Sequence, residues 1–417
     1  MSETQEKTPP LANLVTAGQT QTEAVEITPF IFMARDVSNA YLVTTSDGDV
    51  MVNCGMPEGA IRSTELLKPH RTGPLKYIIL TQSHADHFGG VPRFQEPGTK
   101  IVGGPGYCEA RDDMLGLQSF FGPRTFKLWG STLKQDGPPK EPMPHVTPDI
   151  FVPESGMSID VGERTFEFIH APEGETEDNI LVWMPKEKVV FTGNTFGPVW
   201  LSMPFLNTLR GDKPRRVRTY LKSLAKVRDL GAEILITGHG EPVVGKERIK
   251  EDLDRMEAAV TFVRDYTLEG MKAGKTVDEL VHDFEFPGNV AIGDFHGKAS
   301  WAVKSIWREY SGWFHYEDGT TALYGVPQKS VHADLAEMAG GADALAVRAK
   351  AHNDAGRPLE ALHLVQIALN AEPDNRDALE VKKAASQALL EASGGKNLSE
   401  TMWLRSEIAE IDAILDS

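Results

Sequence analysis

Residues 75–90, LKYIILTQSHADHFGG, contain an apolar run that is followed at once by two histidines and an aspartate. LKYIIL is typical of a buried β-strand, because a strand that is covered on both faces is apolar throughout. His84, Asp86 and His87 then fall within one short polar stretch, ahead of a pair of glycines. Imidazole and carboxylate groups at this spacing can converge on one or two divalent ions. We therefore predict a strand that ends in a metal-binding loop.

The rest of the first half of the chain repeats this pattern of an apolar strand followed by a polar loop. TFEFIHAP, NILVWMP, EKVVFTGN and AEILITGHG are each predicted to be such a strand, and RRVRTYLKSLAKVRDLG to be an amphipathic helix. Near the start, SDGD separates two β-rich runs and indicates a hairpin. The alternation of strands and helices predicts an α/β fold whose functional loops lie at strand ends.

The second half of the chain is predicted to be helical. The spacing of Ala349, Gly356, Ala361, Ala368 and Pro373 fits one tetratricopeptide-type helical hairpin. A single repeat cannot bury its own hydrophobic face, so these helices must pack on the rest of the chain or on another subunit. Dimerisation is therefore expected.

Three regions are predicted along the chain. Residues 1–22 are rich in Thr, Gln and Glu without periodicity, and we expect a flexible N-terminal arm there. Residues 23–265 are expected to form the α/β domain. Residues 266–417 are expected to form the helical domain that mediates dimerisation.

Composition narrows the classes of partner. The 417 residues carry a formal net charge of −17, which would repel the phosphates of nucleic acid and of anionic lipid. A run of eighteen apolar residues is absent from the sequence, and the two cysteines are too few for a disulfide framework. We expect a cytoplasmic protein that takes a small-molecule substrate and binds neither nucleic acid nor membrane.

The metal-binding stretch also carries a family resemblance. TQSHADHFGG resembles the HxHxDH signature of the metallo-β-lactamase superfamily, with Gln82 in place of the first histidine. In that superfamily further ligands lie in a strand-end loop, after an FTG-type strand and at a late histidine, and these places hold Glu175, Asn194 and His239. The resemblance implies an αβ/βα sandwich and a metal centre drawn from Gln82, His84, Asp86, His87, Glu175, Asn194 and His239.

Glu175 and two other stretches resemble the alkylsulfatase branch of that superfamily. LNTLRGDKPR resembles that branch's sequence around an arginine proposed to bind sulfate, and Arg210 is the matching residue. The helical tail resembles the branch's dimerisation region, so a homodimer is implied. The likeness covers roughly residues 25–400 and does not include the sterol-carrier-like domain of longer members.

The resemblance implies two unequal metal positions. Asp86, His87 and His239 would hold one ion and leave a position open for water. Gln82, His84 and Glu175 would hold the other, with Asn194 at the place of a bridging carboxylate. Two neutral amides give weaker ligation and less charge compensation, so we expect the second ion to bind weakly or to differ in kind.

The expected chemistry is hydrolysis. Zinc, at one or two ions per chain, would lower the pKa of water to roughly 7 and supply hydroxide at neutral pH. Asp86 and Arg210 are expected to act in catalysis, and Arg210 and His296 to contact substrate; His296 lies in the glycine-flanked loop GDFHGKAS. Gln82 and Asn194 count against a sulfatase, because the cleavage of an inert sulfate ester should demand the strongest metal centre available.

Three functions remain open at this point. The first is a metal-dependent hydrolase of an ester-type bond in a mostly apolar substrate, such as an alkyl sulfate. The second is a hydrolase of lactones or carboxylic esters, which need a less powerful metal centre. The third is a binding protein that has kept the fold and lost turnover.

Overall fold

The structure is a computed structural model that describes residues 8–133 and 142–417, and it divides into two compact units. The first unit spans Pro10–Glu309, and the second is built around Tyr310–Ser417. The boundary between the units therefore lies later in the chain than the predicted one at 265/266. The reason is that Leu253, Val263 and Ile306, in helices on either side of the predicted boundary, belong to one core with the strands.

Within the described residues, the first unit contains a seven-stranded sheet in sequential order. Its first four strands form an antiparallel meander, and the remaining strands add in parallel. Tyr41 pairs with Val52 and Thr45 with Gly48, which confirms the hairpin at SDGD. The strands are β1 (Val25–Thr28), β2 (Ile31–Ala34), β3 (Ala40–Thr45), β4 (Gly48–Val52), β5 (Leu75–Ile79), β6 (Lys100–Gly103) and β7 (Ile150–Phe151).

A second sheet, six-stranded within the described residues, has the order β13-β12-β11-β10-β9-β8. Its neighbours are antiparallel except for β11 and β12, which run parallel. These strands are β8 (Met157–Val161), β9 (Arg164–His170), β10 (Ile180–Met184), β11 (Val189–Gly193), β12 (Ile234–Thr237) and β13 (Val243–Val244).

The helices of the first unit connect these strands and flank both sheets. They are α1 (Pro10–Thr16), α2 (Pro57–Leu67), α3 (Ala85–Phe88), α4 (Val91–Phe94), α5 (Tyr107–Gly116), α6 (Gln118–Trp129), α7 (Val217–Leu230), α8 (Lys246–Lys272), α9 (Val277–His282) and α10 (Ala299–Ser311).

Each sheet is buried on both faces, and this produces four layers. Ile79 of β5 and Phe191 of β11 belong to one core between the sheets. Ile78 packs on the other side of the first sheet, in a core with Leu67 of α2. Because successive side chains alternate between faces, both faces of these strands must be apolar. The predicted αβ/βα sandwich is confirmed.

The prediction of a flexible arm over residues 1–22 is wrong for residues 10–20. Pro10–Thr16 form α1, and Ala17–Thr20 form a 3-10 helix. Leu11 and Val15 are buried, at 0% and 4% exposure. Burial of these two side chains stabilises a helix that is too short to persist alone.

The second unit is all-helical. α12 and α13 form a hairpin against which α14 packs, with Ala349, Ala361, Val365 and Ala385 buried among them. This confirms the predicted tetratricopeptide-like arrangement. Its helices are α11 (His332–Met338), α12 (Ala342–Asp354), α13 (Pro358–Ala371), α14 (Arg376–Ser393) and α15 (Leu398–Leu415). In the described ranges, none of the helices has the length and apolar character needed to cross a membrane.

Candidate metal centre and substrate cavity

The loops at the ends of β5 and β12 bring three metal-binding side chains together. His84 precedes α3, Asp86 and His87 lie within it, and His239 follows β12. One ligand atom each from Asp86, His87 and His239 lies within 4.8 Å of the other two. Among residues 8–133 and 142–417, this is the one group of three or more such side chains with that spacing.

A loop of the first sheet orients both imidazoles of this group. Ser38 Oγ lies 3.2 Å from His87 Nδ1, and the carbonyl of Val37 accepts a hydrogen bond from His239 Nδ1. The Nε2 atoms of His87 and His239 consequently lie 3.6 and 3.7 Å from Asp86 Oδ2. Hydrogen bonds to the far nitrogen fix the tautomer and direction of metal-binding histidines in just this way.

The protonation states suit cation binding. Burial lowers the pKa of His87 to about 3 and also lowers the pKa of His239, so both imidazoles are neutral at pH 7. Burial alone would raise the pKa of Asp86, but the neighbouring histidines outweigh it and hold that pKa below its ordinary value. His87 Nε2 is buried without a hydrogen-bond partner in the described part of the chain. A carboxylate and two neutral imidazoles therefore fit one divalent ion.

Asn194 and Gly238 complete this side of the centre. Asn194 Oδ1 is buried, and no described residue forms a hydrogen bond with it. A Cβ atom at position 238 would overlap that oxygen and would lie 2.8 Å from His87 Cε1. The strand end at Gly238 thus approaches the ligands so closely that only glycine leaves room for them.

The other predicted ligands contact one another. Gln82 Nε2 lies 3.2 Å from His84 Nδ1, and Gln82 Oε1 accepts the N–H of Asn194 at 2.9 Å. His84 Nε2 lies 3.1 Å from Asp212 Oδ2. Glu175 Oε1 lies 2.8 Å from Arg215 Nη2 and 3.5 Å from His84 Nδ1.

Asp212 sets the electrostatics of this part of the site. Burial would lower the pKa of His84, but the hydrogen bond and charge of Asp212 outweigh burial and raise it. The pKa of Asp212 lies below its ordinary value, because the raising effect of burial is outweighed by the contacts with His84 and Arg210. Asp212 therefore stays ionised and holds a positively polarised imidazole.

A cavity of about 530 Å³ opens beside His84 and Ala85. Its apolar lining includes Met114, Leu117, Phe121 and Met143. Its charged lining includes Glu175, Arg210, Asp212, Lys213 and Arg215. Asp86 and His87 directly follow the lining residue Ala85 in the sequence. Neither they nor His239 belong to the lining of the cavity.

Of the two residues predicted to contact substrate, one lines the cavity and the other does not. Arg210 lines the cavity, is 27% exposed and has its Nη2 3.4 Å from both Asp212 Oδ2 and His84 Nε2. His296 is not among the lining residues. It packs against Phe205, with ring centroids 4.9 Å apart, and burial lowers its pKa to about 3.

Sequence reasoning missed several residues of the site. Asp212 and Arg215 lie in the same LNTLRGDKPR stretch as Arg210, so the stretch signalled them, although their partners could not be read from it. Ser38 gave no signal. Asp178 is fully buried and accepts a hydrogen bond from Ser83 at 2.8 Å, which anchors the loop that carries the histidines.

Comparison with known families agrees with this geometry. The metallo-beta-lactamase superfamily profile matches residues 33–239, and the alkyl sulfatase dimerisation profile matches residues 276–405. The chain joins a metallo-beta-lactamase domain to an alkyl sulfatase dimerisation domain. The first match covers β3 to β12 and ends at His239, and the second includes the tetratricopeptide-like hairpin.

Several of the proteins to which this chain is similar are alkylsulfatases. A linear primary-alkylsulfatase of Pseudomonas is 26% identical over 90% of this chain and 74% of its own length. The alkyl/aryl-sulfatase BDS1 of Saccharomyces cerevisiae is 25% identical over 89% of this chain and 62% of its own length. The solved structure of the inverting sec-alkylsulfatase Pisa1 of Pseudomonas has a TM-score of 0.83 at 21% identity, covering 93% of this chain and 65% of that one. The chain thus spans between 62% and 74% of the length of these relatives.

Proposed function

We propose that this chain is a metal-dependent hydrolase that cleaves sulfate esters of apolar alcohols. The observation that carries the proposal is one cavity beside the candidate metal centre, lined by apolar side chains together with the guanidinium groups of Arg210 and Arg215. The names of the similar proteins support the same substrate class. The net reaction consumes one water and releases an alcohol and hydrogen sulfate.

The apolar and the charged lining residues have different tasks in this proposal. Met114, Leu117 and Phe121 would bind the alkyl chain, because apolar side chains remove it from water. The guanidinium of Arg210 would bind the sulfate oxygens through charge-assisted hydrogen bonds. Asp212 holds that guanidinium in place.

The ion would be held by Asp86, His87 and His239. We propose zinc, because two imidazoles and a carboxylate with an open position are typical ligands of a catalytic zinc site. Such an ion supplies a Lewis acid and makes water more acidic. Ser38 and the carbonyl of Val37 keep the two imidazoles directed at it.

The dimerisation domain supports a further proposal, that the chain forms a homodimer. Several large apolar side chains of the second unit are exposed, among them Met338 at 75% and Val347 at 68%. Exposed apolar surface of this kind marks association sites. The matched dimerisation profile covers both residues.

The experiment is hydrolysis of alkyl sulfates of increasing chain length by zinc-loaded protein, with lactones and aryl esters in parallel. Arg210→Gln should lower kcat/KM on alkyl sulfates by about 100-fold, because one cationic contact to the anionic group is lost. The matched control is Arg218→Gln, an exposed arginine on α7, which should keep full activity. Turnover of lactones alone would instead support the carbonyl hydrolase, and no turnover in any class would support a binding protein.

A further inference from the structure

The residues at the second metal position that the resemblance implies already satisfy one another. Both polar groups of the Gln82 amide are engaged, the oxygen by the N–H of Asn194 and the nitrogen by His84 Nδ1. The other ring nitrogen of His84 faces Asp212. A cation at this position would have to break these contacts before it could bind.

The carboxylates of this half of the site are also balanced by guanidinium groups. Glu175 pairs with Arg215, and their side chains are only 11% and 5% exposed. Arg215 also donates to the carbonyls of Glu175 and Phe205, both at 2.7 Å. Asp212 pairs with Arg210 at 3.4 Å. Adding a divalent cation here would leave its charge without compensation, and breaking a buried ion pair is strongly unfavourable.

The geometry of these carboxylates does not define a common point. Glu175 faces Nδ1 of His84 at 3.5 Å, whereas Asp212 faces Nε2 of the same ring at 3.1 Å. The two nitrogens of an imidazole point in different directions, so Glu175 and Asp212 cannot share one ion with His84. Gln82 lies on the Nδ1 side with Glu175, but the atom it directs there is its amide nitrogen, which donates and offers no lone pair to a cation. The candidate group on the other side, Asp86, His87 and His239, does converge.

We infer that this chain binds one divalent cation, at Asp86, His87 and His239, and that a charged network of its own residues takes the place of a second. The charged network consists of His84, Glu175, Arg210, Asp212 and Arg215. Its two guanidinium groups line the cavity and neutralise Glu175 and Asp212, which a second ion would otherwise do. This inference goes beyond the proposed function, since it concerns metal stoichiometry and holds whether or not a given ester is turned over.

The test is the metal content of the full chain. Protein purified without chelator is dialysed against excess zinc, freed of loose ions on a desalting column, and measured by elemental mass spectrometry. We expect about one zinc per chain, because one set of ligands converges. A value near two overturns the inference, and so does a value near zero.

Two variants locate the ion. His239→Ala should lose the bound zinc, and the matched control His84→Ala should retain about one per chain, since only the first histidine belongs to the converging group. Circular dichroism of both variants confirms that they remain folded. If His239→Ala fails to fold, Asp86→Asn serves in its place. Loss of zinc from His84→Ala with retention in His239→Ala would overturn the assignment.

Alkyl sulfate hydrolysis measured on the same samples separates this inference from the proposed function. One zinc per chain without hydrolysis would support the single-ion site and contradict the sulfatase. Hydrolysis with two zinc ions per chain would do the reverse. The two proposals therefore fail independently.

Discussion

Gly238 is the residue at which the backbone of the second sheet comes closest to the candidate ligands. A methyl group there would overlap Asn194 Oδ1 and press on His87. We predict that Gly238→Ala lowers zinc affinity by about 10- to 100-fold, the range found when the surroundings of a metal ligand are disturbed. The measurement is competition for zinc against a chromophoric chelator.

Gly116→Ala is the control for this prediction. Gly116 ends α5, and a Cβ atom there would have no neighbour within 4 Å. Its zinc affinity should match that of the unaltered chain. Equal affinity of Gly238→Ala and Gly116→Ala would contradict the steric account of position 238.

The candidate ligands could be picked out from the sequence to different degrees. Asp86 and His87 were predictable because their spacing next to a buried strand is a local property, and His239 followed from a similar strand end and the family resemblance. The partners of Glu175 and His84 were not predictable, because Arg215 and Asp212 reach them through the fold. Charge pairing between distant loops leaves no periodic pattern in a sequence.

The loop between β2 and β3 orients both imidazoles of the candidate group, and Asp36 anchors it on α2. Asp36 Oδ2 accepts the N–H of Met56 at 2.8 Å, at the start of that helix. Burial raises the pKa of Asp36 to about 6, with a smaller raising effect from Asp86, although the backbone N–H groups and Arg62 act in the opposite direction. The ionised form is therefore disfavoured in the folded state.

The linkage between this pKa and stability gives a prediction for Asp36→Asn. A folded-state pKa near 6, above the ordinary 3.8, means that Asp36 costs stability as pH rises through this window and costs nothing below it. We expect the variant to exceed the unaltered chain in unfolding free energy by on the order of 1 kcal/mol at pH 7.5, after allowance for partial exposure. At pH 4 this advantage should vanish.

Urea denaturation at the two pH values measures the difference, and comparison of the two proteins at each pH cancels the other titrating groups. An advantage of the variant that grows on acidification would contradict the raised pKa. So would an unchanged difference at both pH values, which would indicate a pH-independent packing effect instead.

Strands were the most predictable elements and the N-terminal helix the least. Ile78 and Ile79 lie in a continuous apolar run, and both faces of β5 are indeed covered. Leu11, Ala12 and Val15 are the buried positions of a helix of seven residues, which is too short for a periodic pattern that would distinguish it from a flexible arm. Tertiary burial, not local propensity, stabilises such a segment.

The whole molecule divides into a first unit, the αβ/βα sandwich with the candidate metal centre, and a second, helical unit that exposes apolar side chains to solvent. Met338 and Val347 lie in or next to the first helices of that unit. We predict that the double substitution Met338→Asp and Val347→Asp converts a homodimer into monomers, because charges cannot be buried unpaired in an interface. Sedimentation velocity of the full chain measures the change.

Ile61→Asp is the matched control, since Ile61 is 53% exposed on α2 of the other unit. It should leave the sedimentation coefficient unchanged. A dimer that survives the double substitution would place the interface on another part of the surface. A monomer in the unaltered chain would contradict the homodimer itself.

Val37 and Ser38 illustrate how evolution can treat two neighbouring positions differently. His239 is oriented by a carbonyl of the main chain, whereas His87 is oriented by a hydroxyl that only a few residues carry. Genetic drift at position 37 changes the side chain and leaves the carbonyl where it is. Position 38 has no such freedom. Natural variants of this protein should therefore tolerate many residues at 37 and keep serine, or threonine, at 38.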